Sequence, residues 1–237
     1  LLYSLKTNFN LLFKLKKILK NKKIDVTIGF MPTPNVVTVA ASKLIGIPCI
    51  ISERNNPANY NLPFFWKYSR KYIYRFTNLL VVQTDLIKNS CAKIVSTKKI
   101  TILPNPIAVE LTNKRSKKEK KENIVLSVGR LNKQKNQKML VESFAEANNK
   151  NWKLYIVGDF DDIGAPFLGK GMPPFDYYSR INTSLETLPD SLTESIVFTG
   201  KLEQSELNKM YNAADLFVSF SVHNDEDFGM SPIEALA

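Results

Sequence analysis

The 237-residue chain has few of the residues that form disulfides or bind metals: two cysteines, Cys49 and Cys91, and one histidine, His223. Two cysteines are too few for a disulfide framework. Neither lies near a second cysteine or the histidine at the spacing of a metal site. This cysteine usage is typical of a cytosolic protein, so the expected location is cytoplasmic.

Long apolar runs are also missing. No run reaches the roughly 18–20 residues that are needed to span a bilayer. The basic start of the chain lacks the uninterrupted apolar segment and the small-residue cleavage site of a signal peptide. With 44% hydrophobic and 23% charged residues, the composition is that of an ordinary globular protein of one or two domains.

Acidic residues are in deficit, because 22 Asp and Glu face 33 Lys and Arg and leave a net charge of +11. This charge predicts a phosphate-bearing partner: nucleic acid, an anionic membrane surface or a phosphorylated small ligand. Residues 1–23 hold seven lysines and no acid, with apolar residues between them, which predicts a basic amphipathic helix. Its apolar face either joins the core or contacts anionic lipid as a peripheral membrane surface. Aromatic residues do not alternate with the lysines as stacking platforms would, so no nucleic acid is expected.

Apolar stretches suited to buried parallel strands alternate with helical patterns along the chain, which predicts an α/β fold with parallel sheets. The expected strands of the first half are DVTIGF, PCIISE, NLLVVQT and KITILPN, and those of the second half are IVLSVGR, WKLYIVGD, SIVFTG and DLFVSFS. A lysine-rich segment without apolar residues, 112–123, separates the two halves and predicts a linker. The expected domains are therefore residues 1–111 and 124–237. Residues 160–178 show no period and are predicted to form a long excursion from the second sheet.

Two turns that follow strands in the second half carry residues suited to a ligand, because ligands bind beyond the carboxyl ends of parallel strands. After IVLSV come Gly129 and Arg130, with Lys135 five residues later, so that a guanidinium and an ammonium could share one diphosphate. A solvated basic turn is the alternative. After LYIV, Gly158 allows close approach of a ligand or of another backbone, and Asp159 could accept hydrogen bonds from a hydroxyl.

The last turn, EDFGMSPIEALA, contains a second kind of signal. Ser231, Pro232 and Glu234 match a capping box with serine at the N-cap, proline at N1 and glutamate at N3. Glu234 could therefore serve only its own helix. The backbone N–H groups around Gly229 are in either case expected to face an anion.

The order and spacing of these turns are more specific than any one of them. SVGRLNKQKN, LYIVGD, VFTGKL, ADLFVS and EDFGMSPIEALA resemble, in this order, the nucleotide-sugar domain of the family 4 retaining glycosyltransferases, which have the GT-B architecture of two Rossmann-like domains facing a cleft. The signature of Glu, seven residues, Glu corresponds to Glu226 and Glu234. GIPCIISERNNP and ILPNPI resemble the acceptor domain more loosely. Since the chain starts at leucine and ends within the signature, an internal fragment with both domains incomplete is expected.

The resemblance implies a role for each matching residue. Gly129, Arg130 and Lys135 would surround the donor diphosphate, Gly158 and Asp159 would line the donor loop, Glu226 would act on the sugar as the catalytic residue, and Glu234 would hold the ribose. The backbone of four residues would contact the phosphates and the sugar: Phe228, Gly229, Met230 and Ser231. The family needs no metal or other cofactor.

One departure from the family lies after PCIIS, where many members have a histidine and this chain has Arg54. Glu53 and Arg54 are expected to face a phosphate-bearing acceptor, such as a lipid diphosphate, or else to pair with each other. The only histidine, His223, lies in the loop before Glu226 and is expected to be solvated.

The resemblance, together with the basic charge, implies a retaining glycosyltransferase of cell-surface polysaccharide synthesis at the inner face of the membrane. It would move a sugar from a UDP-, GDP- or ADP-sugar to a glycan or lipid-linked acceptor. A nucleotide-sugar-binding protein of the same fold without transferase activity, epimerase-like or inactive, is the alternative. An epimerase would have more acid and base groups and a phosphorylase a lysine for pyridoxal phosphate, and neither signature is present.

Overall fold

The computed structural model describes residues 2–107, 123–147, 151–159, 181–221 and 228–237, with side chains from residue 10 onward. The described residues divide into two compact units: the first comprises residues 2–105 and Phe228, and the second the described parts of residues 106–221 and residues 229–237. Of the predicted linker, residues 112–122 lie outside the described residues, and Asn123 is the first residue of a strand. The predicted excursion at 160–178 also lies outside them.

The first unit is a four-stranded parallel sheet with the order β1-β2-β3-β4. Its elements are α1 (Leu2–Asn21), β1 (Thr27–Phe30), α2 (Pro32–Ile45), β2 (Cys49–Glu53), α3 (Phe64–Ile73), a 3-10 turn (Tyr74–Phe76), β3 (Leu79–Val82), α4 (Asp85–Cys91), a second 3-10 turn (Thr97–Lys99) and β4 (Ile100–Ile102). One face of the central strands is buried, since Ile51, Leu80 and Val82 point to the same side of the sheet and have no exposed surface. On this face the strands form one apolar core with residues of α2 and α4, such as Val39 and Ile87.

The second unit is also a four-stranded parallel sheet, with the order β7-β6-β5-β8. Its elements are β5 (Asn123–Val128), α5 (Gln137–Glu146), β6 (Trp152–Val157), a helix α6 described over residues 181–186, α7 (Asp190–Thr193), β7 (Ile196–Gly200), α8 (Gln204–Ala213), β8 (Leu216–Phe217) and α9 (Met230–Leu236). Leu126, Leu154 and Ile156 form the buried centre of this sheet. Two sets of parallel strands with helical crossovers confirm the predicted fold class.

The basic amphipathic helix predicted at the start of the chain is α1. It packs against α2 and buries Leu19, so part of its apolar surface joins the core. Leu11, Phe13 and Ile18 are each about half exposed on the same helix. In the part of the chain that the structure describes, no helix combines the length and the apolarity needed to cross a bilayer.

Candidate active site

Two of the turns predicted to carry the chemistry of the second unit, those after β5 and β6, meet at the carboxyl edge of its sheet. Backbone pairing continues past the strand ends, because the Gly129 N–H donates to the Val157 carbonyl at 2.9 Å and the Leu131 N–H donates to the Asp159 carbonyl at 2.9 Å. On the other side, the Gly158 N–H donates to the Gly200 carbonyl at 2.9 Å. The three turns after β5, β6 and β7 are therefore joined to each other.

Gly158 marks the tightest contact of this edge. Its φ is +146°, and a Cβ at this position would lie 2.1 Å from the Gly129 carbonyl oxygen. No side chain fits at that distance, because 2.1 Å is far inside van der Waals contact. Of the two predicted reasons for a glycine here, the structure shows the close approach of another backbone.

The loop after β5 holds its two cations at the same edge. The side chain of Lys135 covers Gly129, where a Cβ would lie 3.3 Å from the lysine stem. The Lys135 N–H donates to Asn132 Oδ1 at 3.0 Å, which closes a side-chain turn. Gln137, fully buried at the start of α5, donates from Nε2 to the Arg130 carbonyl at 2.9 Å. These contacts fix the backbone on which Arg130 and Lys135 stand.

A pocket of about 180 Å³ opens beside these turns. It contains the predicted site residues Gly158 and Asp159 and the neighbour of Arg130, Leu131. The residues that the sequence did not point to are Ile181, Asn182, Leu185, Phe198 and Gly200. Gly200 offered the same signal as Gly158, a glycine that ends a strand, whereas no pattern distinguished the others from ordinary core residues.

Glu234 lies on α9 and accepts a hydrogen bond at Oε2 from the hydroxyl of Tyr211, at 2.9 Å. The predicted capping box is wrong. Gly229 is the N-cap with φ +62°, α9 begins at Met230, and among the described residues no side chain caps it. Glu234 therefore stands at the fifth helical position, too far along for its side chain to reach back to the N-cap.

Tyr211 of α8 is buried and packs against Phe217, with the ring centroids 6.0 Å apart. Burial raises the pKa of Tyr211, and the adjacent Glu234 raises it further, so the phenol keeps its proton and remains a donor. This tyrosine was missed from the sequence, because a buried aromatic residue on a helix normally indicates core packing alone.

The structure describes only some of the other residues around the two signature glutamates. Gly229, Met230 and Ser231 form the start of α9, and Phe228, which precedes them, groups with the first unit. Glu226 and His223 lie outside the described residues. The role of Glu226 therefore stays a prediction.

On the first unit, Glu53 ends β2 and has no exposed surface. The hydroxyl of Tyr74 donates to Glu53 Oε2 at 2.8 Å, and Asn35 Nδ2 donates to the same hydroxyl at 3.2 Å. The expectation that Glu53 faces an acceptor is wrong, because a fully buried carboxyl contacts no dissolved ligand. Arg54 does not pair with it either, since its Nη2 donates to Asn105 Oδ1.

A family model described as "Glycosyl transferases group 1" matches residues 109–237, more than half of the chain. The chain belongs to this family.

Two curated relatives from Campylobacter jejuni are similar to this chain. One, "GalNAc-alpha-(1->4)-GalNAc-alpha-(1->3)-diNAcBac-PP-undecaprenol alpha-1,4-N-acetyl-D-galactosaminyltransferase", is 33% identical over 84% of this chain. The other, an "N-acetylgalactosamine-N,N'-diacetylbacillosaminyl-diphospho-undecaprenol 4-alpha-N-acetylgalactosaminyltransferase", is 29% identical over 63% of this chain. The chain spans 60% of the first relative and 43% of the second.

Among solved structures, this group 1 glycosyltransferase chain is similar to Anabaena Alr3699/HepE in complex with UDP and glucose. The TM-score is 0.74 at 16% sequence identity, over 94% of this chain and 59% of HepE. At this identity the similarity shows the fold alone. It agrees with the two α/β units described above, each of which has a parallel sheet.

The burial of Glu53 leads to a testable pH dependence. Burial raises its pKa to about 7, against a smaller lowering by Tyr74, Arg70 and the nearby backbone N–H groups of Asn55 and Arg54. The folded chain keeps this proton between the ordinary pKa of about 4.5 and pH 7, where the unfolded chain loses it. The contribution of Glu53 to the free energy of unfolding therefore falls as the pH rises from about 4.5 to about 7, and it is lowest above pH 7.

Glu53→Gln is expected to raise the melting temperature by a few degrees at pH 8 and to change it little at pH 5. Glutamine resembles the protonated carboxyl, because it still accepts the Tyr74 hydrogen bond and never ionises. Thermal unfolding followed by circular dichroism at both pH values measures this difference. The exposed Glu186→Gln is the control and should show no such pH dependence. Equal melting temperatures of Glu53→Gln and wild type at pH 8 would contradict a costly buried charge.

Proposed function

We propose that this chain is the core of a retaining family 4 glycosyltransferase that takes its sugar from a nucleoside diphosphate donor. The observation that carries the proposal is the junction of three turns at one sheet edge. There, Arg130 and Lys135 lie next to Gly158 and Asp159, beside a pocket of about 180 Å³. Two cations on a fixed backbone suit a diphosphate, and the adjoining pocket can take part of a nucleoside.

Each donor group is assigned to a part of this edge. Arg130 binds the diphosphate as a fork and Lys135 as a point charge, and together they stabilise the charge that develops on the leaving nucleotide. This arrangement requires no metal ion. Asp159 and the pocket take the nucleoside, and the backbone from Phe228 to Ser231 contacts the phosphates and the sugar.

The two signature glutamates divide the remaining contacts. Glu234 holds the ribose hydroxyls, and its bond from Tyr211 keeps the carboxylate in one orientation while leaving Oε1 for the ligand. Glu226 acts on the reacting sugar, with retention at the anomeric carbon. This assignment is supported by the spacing of the two glutamates. For Glu234 it is also supported by the hydrogen bond from Tyr211 of α8, because this bond shows that the carboxylate does not serve its own helix.

The acceptor is proposed to be a glycan linked to a lipid diphosphate. Support comes from the two relatives, whose names both specify acceptors linked to undecaprenol through a diphosphate. The net charge of +11 and the half-exposed apolar residues of the lysine-rich α1 suit an enzyme that works at an anionic membrane surface. The cytoplasmic face is the proposed location, since nucleotide sugars are expected there.

A thermal-shift screen of the full-length protein against UDP-, GDP- and ADP-sugars tests the donor site. One donor should raise the melting temperature clearly, because a ligand at 100 times its Kd adds about 2.7 kcal/mol to the free energy of unfolding. Arg130→Met should weaken that donor about tenfold, since a charge-assisted pair of hydrogen bonds is lost.

Lys133→Met is the matched control, because Lys133 is an exposed lysine of the same loop. It should bind the donor like wild type. An equal loss in Lys133→Met and Arg130→Met would show attraction by net charge in place of a defined diphosphate site. No shift with any of the three donors would contradict the proposed function.

A further inference from the structure

The segment that follows β2, residues 54–60, is ordered by its own hydrogen bonds. Asn56 is buried, and its side-chain Oδ1 accepts the Ala58 N–H at 3.0 Å. The Asn56 carbonyl accepts the N–H groups of Asn59 and Tyr60 at 3.1 and 2.9 Å. We call these residues the β2 loop. It starts with Arg54 at the carboxyl end of a central strand.

Beside the β2 loop lies a cluster of buried polar side chains from four elements. Glu53 of β2, Tyr74 of the 3-10 turn and Asn35 of α2 are joined by the hydrogen bonds described above, and Asn35 Nδ2 also donates to the Ser52 carbonyl at 2.8 Å. Arg70 of α3 is 3% exposed and donates from Nη2 to the Pro57 carbonyl of the loop at 3.1 Å. The cluster therefore meets the loop at two points: Glu53 directly precedes Arg54, and Arg70 binds the Pro57 carbonyl.

Stability alone does not explain this cluster. Glu53 Oε1, Arg70 Nη1 and Asn35 Oδ1 are buried without hydrogen-bond partners among the described residues. Each such atom costs stability, and apolar residues of similar volume would normally be more favourable. Buried polar groups of this kind can instead select one backbone arrangement out of several.

The residue that this arrangement orients is Arg54. It is half-buried, and among the described residues its guanidinium donates a hydrogen bond to the side chain of Asn105, beyond β4. A guanidinium has five N–H donors, so further donors remain for an oxyanion. Arg is well suited to phosphate because its donors form a rigid fork, which is effective only when its backbone is held in place.

We propose that Glu53, Tyr74 and Arg70 are positioning residues that hold the β2 loop and thereby orient Arg54 toward a diphosphate group of the acceptor. The inference rests on the proposed function for the identity of that ligand. We call Glu53, Tyr74 and Arg70 the clamp. It belongs to the first unit, and it can be tested without any transfer reaction.

Hydrogen exchange of the full-length protein tests the clamp directly. Tyr74→Phe removes the hydroxyl that joins Glu53 to Asn35, and the amides of Ala58, Asn59 and Tyr60 should then exchange about tenfold faster, as expected for the loss of one buried hydrogen bond. The amides of β2 and β3 should keep their protection. Tyr72→Phe is the control, because Tyr72 is half-exposed on α3, and it should exchange like wild type.

A double-mutant cycle tests whether the clamp acts through Arg54. Inorganic diphosphate is titrated calorimetrically into protein saturated with UDP, so that the donor site is filled. Arg54→Met should weaken diphosphate about tenfold and Tyr74→Phe severalfold, while the double variant should bind like Arg54→Met alone. Glu53→Gln should bind diphosphate nearly as wild type, because glutamine still accepts the Tyr74 hydrogen bond, and Glu53→Ala should resemble Tyr74→Phe.

The outcomes separate the clamp from the proposed function. Faster exchange throughout β2 and β3 in Tyr74→Phe would overturn the clamp in favour of a general role in folding. Additive losses in the double-mutant cycle would overturn the connection to Arg54. Absence of diphosphate binding in wild type would overturn the role of Arg54. Failure of the donor screen alone would overturn the transferase assignment but would leave the hydrogen-exchange evidence for the clamp standing.

Discussion

Gly158→Ala is expected to destabilise the second unit by at least about 3 kcal/mol. The new Cβ would lie 2.1 Å from the Gly129 oxygen and 2.8 Å from the Gly129 carbonyl carbon. Both atoms belong to the backbone that continues β5, so neither can move without breaking the Gly129–Val157 and Leu131–Asp159 hydrogen bonds. A φ of +146° adds strain for any residue with a side chain. Urea unfolding followed by circular dichroism measures the loss.

Two other glycines separate this clash from ordinary backbone strain. Gly200 has φ +70° with nothing within 4 Å of its missing Cβ, so Gly200→Ala should cost only about 1–2 kcal/mol. Gly129→Ala meets only the flexible stem of Lys135, which can shift. If Gly158→Ala were no less stable than Gly200→Ala, the close backbone approach would be refuted.

The two signature glutamates should give opposite kinetic results in the full-length enzyme. Glu226→Gln should lower kcat about 100-fold and leave the affinity for the nucleoside diphosphate unchanged, because its proposed partner is the reacting sugar. Glu234→Gln should weaken the nucleoside diphosphate by about 1–2 kcal/mol, because a neutral amide replaces a charged acceptor for the ribose hydroxyls. Isothermal titration with the nucleoside diphosphate and initial rates with the donor distinguish the two effects.

Tyr211 provides the control for Glu234. Glutamine at position 234 retains an oxygen that accepts the Tyr211 hydrogen bond, so Glu234→Gln should unfold at nearly the wild-type temperature. Tyr211→Phe removes the donor and should weaken the nucleotide less than Glu234→Gln does. Lost nucleotide affinity in Glu226→Gln, with none in Glu234→Gln, would reverse the two assignments.

Much of the fold was predictable from local pattern. All eight strands of the described residues were expected from apolar runs, because strands in the interior of a parallel α/β domain carry few polar residues. The last expected strand, DLFVSFS, is shorter than predicted: β8 covers only Leu216–Phe217. It lies at the edge of its sheet and pairs with β5 alone. The short helices α4 and α7 were not predicted, since seven and four residues give too few turns to show a period.

The candidate site was predictable in part for a topological reason. The carboxyl ends of parallel strands lie at one edge, so turns that are distant in the chain, such as those of Gly129, Gly158 and Gly200, must meet there. The residues that support this edge were not predictable. Gln137, for example, appears in the sequence as an ordinary polar residue at a helix start, although it is buried against the Arg130 carbonyl.

By itself, the sequence determined the alternation of strands and helices, the basic charge and the order of the motif-bearing turns, because these depend on residues close together in the chain. Only the tertiary structure decided which partner each functional group has. It placed Glu234 on Tyr211 in place of a capping box, set Gly158 against the Gly129 backbone, and buried Glu53 under Tyr74. These contacts join residues more than 20 positions apart, and a local pattern states which side chains turn inward without stating what they meet there.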